Sequence, residues 1–335
     1  MITLILAVLV SFFTVIFLGE SVKKFLERVG VTGVDQQKDN KPKMATSAGI
    51  LVMASVMVGG FFFIGINTFI AHDSINLTYL LAAYCSIFMV ALIGFLDDMN
   101  VSKKPRKIKG VEDIRIGLKQ WQKPLLTLPA AIPLMAVMAG TTAMDFPILG
   151  HVDFGIVYPL ILIPLAVVVV SNATNMLAGM NGLEAGLGIV AMLALGIYTS
   201  MLGRVEASVI AFTLCFSLLA FLKWNWIPAK FLPGDSLTYL IGASFASIVI
   251  IGNVEKFGIF VFAPWIIEFF LKLRSKFGAR SLGNLTKDGT LSPPYRKVYS
   301  LTHIVMKIRP MKERDIAIAL ISFEILVCAM AFAFI

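Results

Sequence analysis

Two adjacent carboxylates, Asp97 and Asp98, close an apolar run in G-F-L-D-D-M-N (94–100), and a third, Asp235, opens another in P-G-D-S. Between them lies S-N-A-T-N-M-L-A-G-M-N-G-L-E-A-G-L-G (171–188), with Asn172, Asn175, Asn181, four glycines and Glu184. Carboxylates and amide oxygens are hard donors that suit Mg²⁺ when phosphate oxygens complete its shell. Asp97, Asp98, Asp235 and the amide of Asn175 would make a weakly charged oxygen site of that kind. Asp97 and Asp98 sit against the negative end of their helix, unfavourable by some tenths of a kcal/mol each, which a cation or lysines would relieve. Each has a plain alternative: a solvated helix end for the pair, and a helix N-cap after Gly234 for Asp235. Lys123 precedes Pro124 at a similar depth to Asp97 and Asp98, where a lysine can meet a lipid phosphate.

The elements that must position these residues are membrane helices. Of 335 residues, 58% are hydrophobic and 15% charged, against about a quarter charged in a soluble domain. Long uncharged apolar runs recur along the chain, which predicts an all-α polytopic membrane protein in one domain over 1–335. Ten spans are expected, at 2–19, 45–70, 77–96, 124–141, 154–171, 184–202, 207–222, 236–252, 257–272 and 316–335. The first run has no basic residue before it and is long enough to span, so it reads as a helix and not a cleavable signal.

Orientation follows from the basic residues. The alternate loops 20–44, 97–123, 172–183, 223–235 and 272–315 hold 27 of the 29 Lys and Arg, leaving only Arg204 and Lys256 for the other side. By the positive-inside rule these five loops are cytoplasmic and both termini lie outside. That rule also accounts for the net charge of +9, with no need for a nucleic-acid partner. Every polar cluster named above falls on the cytoplasmic side, so all five loops are expected to converge on one site. Cys85, Cys215 and Cys328 lie inside apolar runs and read as small buried hydrophobes. His72 and His151 fall outside, and His303 is a lone cytoplasmic histidine of structural type. Broken helices with polar residues also occur in transporters, but there the polar groups sit at the midplane of inverted repeats, and none is visible here.

Taken together, the motifs resemble the polyprenyl-phosphate N-acetylhexosamine-1-phosphate transferases, over the stretch from the first cytoplasmic loop to the last. Within that family, N-x-x-N-x-L-A-G-x-N-G-L-E-A-G, N-W-x-P followed by G-D-S at 225–236, G-x-D-x-x-K at 33–38 and G-F-x-D-D at 94–98 are similar to the archaeal and eukaryotic UDP-GlcNAc–dolichyl-phosphate branch. Bacterial cell-wall members carry an aspartate where this chain has Ala178, and usually another at Asn181.

The resemblance implies a ten-helix fold, often a homodimer, and transfer of GlcNAc-1-phosphate from UDP-GlcNAc to dolichyl or another polyprenyl phosphate. It implies Mg²⁺, with Mn²⁺ as a substitute, held by Asn175 and Asp235. Asp97, Asp98 and Lys123 become the catalytic set, and Asp35, Lys38, Asn181, Glu184 and Arg280 the substrate-binding set. Two departures stand out. Where the eukaryotic members place an Arg-His-Arg cluster, this chain has F-G-A-R-S with Arg280 alone, and Thr46 replaces a glutamate of the first loop. The minimal outer loops favour an archaeal cell membrane over an endoplasmic reticulum membrane.

Overall fold

The structure is a computed structural model that describes residues 1–99, 101–108, 111–115, 117–146 and 150–335, with the backbone alone over 101–108, 111–115 and 145–146. Of the expected residues, none of the candidate site falls outside this set. The chain begins with α1 (Ile2–Arg28), a hairpin of β1 (Thr32–Val34) and β2 (Lys43–Ala45), α2 (Gly49–Ile66) and α3 (Leu77–Met99). The second basic loop holds an antiparallel pair, β3 (Val101–Ile108) and β4 (Val111–Arg115). Then come α4 (Gln122–Thr127), α5 (Ile132–Ala136), an antiparallel pair β5 (Ala143–Phe146) and β6 (Gly150–Asp153), and α6 (Ile163–Thr174). The second half runs α7 (Leu183–Met201), α8 (Val205–Asn225), α9 (Gly234–Gly252), α10 (Glu255–Val261), α11 (Ala263–Leu273), a short pair β7 (Asn284–Leu285) and β8 (Leu291–Ser292), α12 (Leu301–Ile308) and α13 (Glu313–Phe334).

Among the described residues, seven helices are long and apolar enough to cross a membrane: α1, α2 with its π-helical extension to Ala71, α3, α7, α8, α9 and α13. The other three expected spans are interrupted. The window 124–141 is α4 and α5 joined by a 3₁₀ turn, with Pro129 and Pro133 at the joints. The window 154–171 starts as a π-helical turn at Tyr158–Leu162 before Pro164 enters α6. The window 257–272 breaks at Phe262, with Pro264 at the start of α11. Proline removes a backbone donor and clashes with the preceding turn, so each break has a local cause. The loop limits also shift. Helix α1 runs on to Arg28, into the segment expected as a loop from 20, and α13 starts at Glu313 instead of 316.

Helix α9 is the axis of the bundle, with 83% of its apolar window buried against 28% for α1. Its neighbours carry glycine where they meet it. A Cβ on Gly94 of α3 would lie 2.7 Å from Asp235 O, and one on Gly49 of α2 would lie 2.3 Å from Leu237 N. Gly242, on α9 itself, packs against α6, where a Cβ would be 2.6 Å from Ser171 Cα. Small residues let membrane helices bring their backbones close and gain dispersion contacts. This packing fixes the start of α9, and Asp235 with it, against the ends of α3 and α6.

Candidate active site

Asp98 explains why α9 starts where it does. Its side chain is fully buried, and its two oxygens accept the N–H groups of Asp235 (2.9 Å) and Ser236 (3.0 Å). A carboxylate at a helix N-terminus satisfies orphan donors and meets the positive end of the dipole. Gly234 is required beneath it: φ is +71° there, and a Cβ would stand 2.3 Å from Asp98 Oδ2. Asp98, expected in the catalytic set, is not among the residues that line the cavity, and its carboxylate holds the helix end. Asp235, expected as a possible cap, makes no such capping bond; Pro233 is the N-cap and the Asp235 carboxylate points elsewhere.

It points to Lys123. The ammonium lies 2.6 Å from Asp235 Oδ2 and 2.7 Å from Asp97 Oδ2, so one cation joins the ends of α3, α4 and α9. Asp97 Oδ1 accepts the N–H of Leu118, which ties down the close of the second loop. Asn175, the C-cap of α6, donates from Nδ2 to Asp235 Oδ2 (3.1 Å) and accepts on Oδ1 from Thr238 Oγ1 (3.0 Å). Burial works against the Lys123 charge, but Asp235 above all, with Tyr239 and Asp97, outweighs it and holds the lysine above its ordinary range. Lys123 thus stays protonated at any physiological pH.

These residues border a cavity of about 870 Å³. All five expected cytoplasmic segments contribute to it, through Asp35 and Thr46, Asp97 and Lys123, Asn175 and Asn181, Leu232 and Asp235, and Arg280 and Ser281. Ala178 and Glu184 also line it. Its lining also includes the apolar Trp121, Pro124, Val169 and Phe269, of which Trp121 and Val169 are exposed.

The nucleotide-side candidates form a second network. Asn181 Nδ2 donates to Asp35 Oδ2 (2.7 Å), and Asn181 N donates to Glu313 Oε1 (2.8 Å). Lys38 pairs with Glu313 and, at 3.8 Å, with Asp35, so it stands behind the wall and not in it. Glu184 Oε1 accepts the N–H of Gly179 (2.6 Å), which folds the glycine-rich turn back on α7, while its buried Oε2 has no hydrogen-bond partner among the described residues. Asn172 acquires a role: it donates to Val168 O (2.8 Å) and Thr127 Oγ1 (3.3 Å) and accepts from Tyr239 (3.1 Å), joining α6 to α4 and α9. His303 is buried, with Nδ1 accepting the N–H of Tyr299 (3.4 Å), as a structural histidine would.

Sequence reasoning missed Glu313, Glu268 and Lys272. Glu268 carried a signal, as an acid inside an apolar window. Glu313 had only the weak mark of an acid in a helix's first turn.

The donor set suits a hard cation. Two carboxylate oxygens already share one positive centre beside an amide, and no group of three or more His, Cys, Asp or Glu suited to a metal exists among the described residues. Mg²⁺ is often held by one or two carboxylates with substrate phosphates completing its shell.

The chain is similar to several known proteins. The profile of glycosyl transferase family 4 matches residues 79–253, from the start of α3 through α9. A Saccharolobus solfataricus protein provisionally named UDP-N-acetylglucosamine–dolichyl-phosphate N-acetylglucosaminephosphotransferase is 32% identical over 98% of this chain and 95% of its own length. The Dictyostelium discoideum protein of that name is 26% identical over 93% of this chain and 83% of its own. A phospho-N-acetylmuramoyl-pentapeptide-transferase of Moorella thermoacetica is 30% identical over 75% of each chain. With a family profile across its catalytic half and relatives that align along nearly its whole length, the chain belongs to glycosyl transferase family 4.

Proposed function

We propose that the protein transfers GlcNAc-1-phosphate from UDP-GlcNAc to dolichyl phosphate, releasing UMP and leaving GlcNAc-diphospho-dolichol, the first step of lipid-linked glycan assembly. The observation that carries this reading is the meeting of Lys123, Asp97, Asp235 and Asn175 in a cavity lined by both polar and apolar residues. A water-soluble diphosphate and a lipid phosphate need such a mixed site. The archaeal and Dictyostelium relatives align along most of the chain, and the bacterial one along three quarters, which favours the dolichyl substrate. In this reading the site faces the cytoplasm of an archaeal cell membrane, with the endoplasmic reticulum as the alternative.

The chemistry asks little of the protein beyond positioning and charge neutralisation. An oxygen of the lipid phosphate attacks the β-phosphorus of UDP-GlcNAc. The new O–P bond forms as the bond to the bridging oxygen breaks, and UMP leaves with the electron pair. A phosphate monoester has its second pKa near about 6, so the nucleophile is already ionised and no base is required. Lys123 supplies the fixed positive charge for incoming phosphate, and Asp97 holds that ammonium in place. Asp235 and the Asn175 amide oxygen would hold Mg²⁺, or Mn²⁺ in its stead, which when bound neutralises diphosphate oxygens and improves the leaving group. Asp35 and Asn181, clamped by Lys38 and Glu313, shape the nucleotide end, with Glu184 fixing the turn beneath.

Purified protein given UDP-GlcNAc, dolichyl phosphate and Mg²⁺ should release UMP stoichiometrically with lipid-linked GlcNAc. No UMP from any UDP-amino sugar with any polyprenyl phosphate would refute the reaction. Turnover with UDP-N-acetylmuramoyl-pentapeptide alone would move the protein to the bacterial branch.

A further inference from the structure

One buried ion pair bordering the cavity is left without a role. Glu268 and Lys272 lie one turn apart on α11, at 0% and 5% exposure, with Lys272 Nζ 3.5 Å from Glu268 Oε1. Burying such a pair is costly unless its remaining donors and acceptors are satisfied. Here they are satisfied by the segment that carries Arg280. Lys272 Nζ donates to Ala279 O (2.9 Å) and Ser281 Oγ (2.8 Å), the residues on either side of Arg280. Ser281 Oγ reaches Glu268 Oε1 (3.2 Å) or Met176 O (3.0 Å), the latter next to Asn175. Glu268 Oε2 accepts from Ser300 Oγ (3.1 Å) and Leu301 N (2.8 Å), and Thr302 Oγ1 donates to Ser281 O (2.7 Å). Lys272 and Arg280 both line the cavity.

We infer that Glu268 and Lys272 are positioning residues that grip the backbone and side chain flanking Arg280 and so present its guanidinium to the nucleotide-sugar donor. Their effect falls on donor affinity, while the transfer step at Lys123, Asp97 and Asp235 proceeds unchanged. The donor's identity rests on the reaction proposed above; the grip on residues 279–281 does not.

The test is a double-mutant cycle on the full chain in detergent, read by calorimetric binding of UDP-GlcNAc with Mg²⁺ and by KM and kcat. Arg280→Ala should raise Kd and KM by about tenfold, with kcat within about threefold of wild type. Lys272→Met should do the same, and the double variant should be no worse than either single one, because the lysine acts through the arginine. Lys272→Arg should recover part of the loss. If Lys272→Met does not fold, Glu268→Gln with Lys272→Met leaves no unpaired charge and carries the same expectation. Multiplying effects in the double variant, or a fall in kcat at unchanged KM, would overturn the inference. A wild type that does not bind UDP-GlcNAc would refute the donor instead. The grip is then read by trypsin: well below both thermal midpoints, the Arg280–Ser281 bond should be cut faster in Glu268→Gln with Lys272→Met, which leaves no unpaired charge, than in wild type, and equal resistance overturns it.

Discussion

Asp98 and Asp235 are both aspartates at helix ends in the sequence, yet the fold gives them opposite tasks. Asp98 turns inward to the first N–H groups of α9, and Asp235 turns to Lys123 and Asn175. Asn175→Ala and Asp235→Ala should each lower transfer by at least about a hundredfold, as expected for lost metal ligands, and UMP release measures this. Near-normal turnover in either variant would remove that residue from the metal site. Asp98→Asn should instead weaken the fold. It replaces one charged acceptor with a donor facing a backbone N–H, at a cost of about 1–3 kcal/mol read as a lower thermal midpoint in detergent. The residue types and their shared membrane face were legible in the sequence. The division of labour between Asp97 and Asp98 was not, because it depends on α9, more than 130 positions away, and local spacing carries no mark of such a pairing. Glu313 was hidden for the same reason, bonding to Asn181 at a separation of 132 residues.

At the scale of the helices, hydropathy located the seven continuous spans well, because length and apolarity are local properties. At the three interrupted ones it marked the apolar run but not the breaks, where prolines divide a run that hydropathy averages over. It also stopped α1 at residue 19, since the helix continues to Arg28 as a charged projection beyond the apolar part. The α3–α9 contact depends on Gly94, and a Gly94→Val side chain would enter the backbone at Asp235 and Ser236. Overpacking of this kind costs about 1–3 kcal/mol, and the displaced α9 start should lower activity along with the thermal midpoint. Helix α12 offers a pH test through His303. Burial first, and the Lys272 ammonium second, push its pKa down to about 4. The unfolded histidine takes a proton near about pH 6.5, which the folded one refuses until about pH 4. Stability should therefore fall as pH drops through that window. The fall in thermal midpoint between pH 7 and pH 5 should be smaller in His303→Gln than in wild type, and an equal fall would count against it.

Across the whole molecule, the asymmetric spread of Lys and Arg already pointed to one working face, and the cavity draws residues from all five segments of that face. What the sequence could not supply was the shape of the opening. Among its lining residues are the apolar Trp121, Pro124, Val169 and Phe269, and Trp121 and Val169 are exposed. In the proposed reaction, a phosphate on a prenyl chain would reach Lys123 by sliding within the leaflet, independently of supply through water. Its effective concentration is a mole fraction in a sheet. Diluting proteoliposomes with buffer should leave the acceptor dependence unchanged, whereas adding inert phospholipid at constant total acceptor should slow transfer. The enzyme's acceptor saturation would then be set by how crowded the membrane is with the lipid carrier, and its donor saturation by the water beside it.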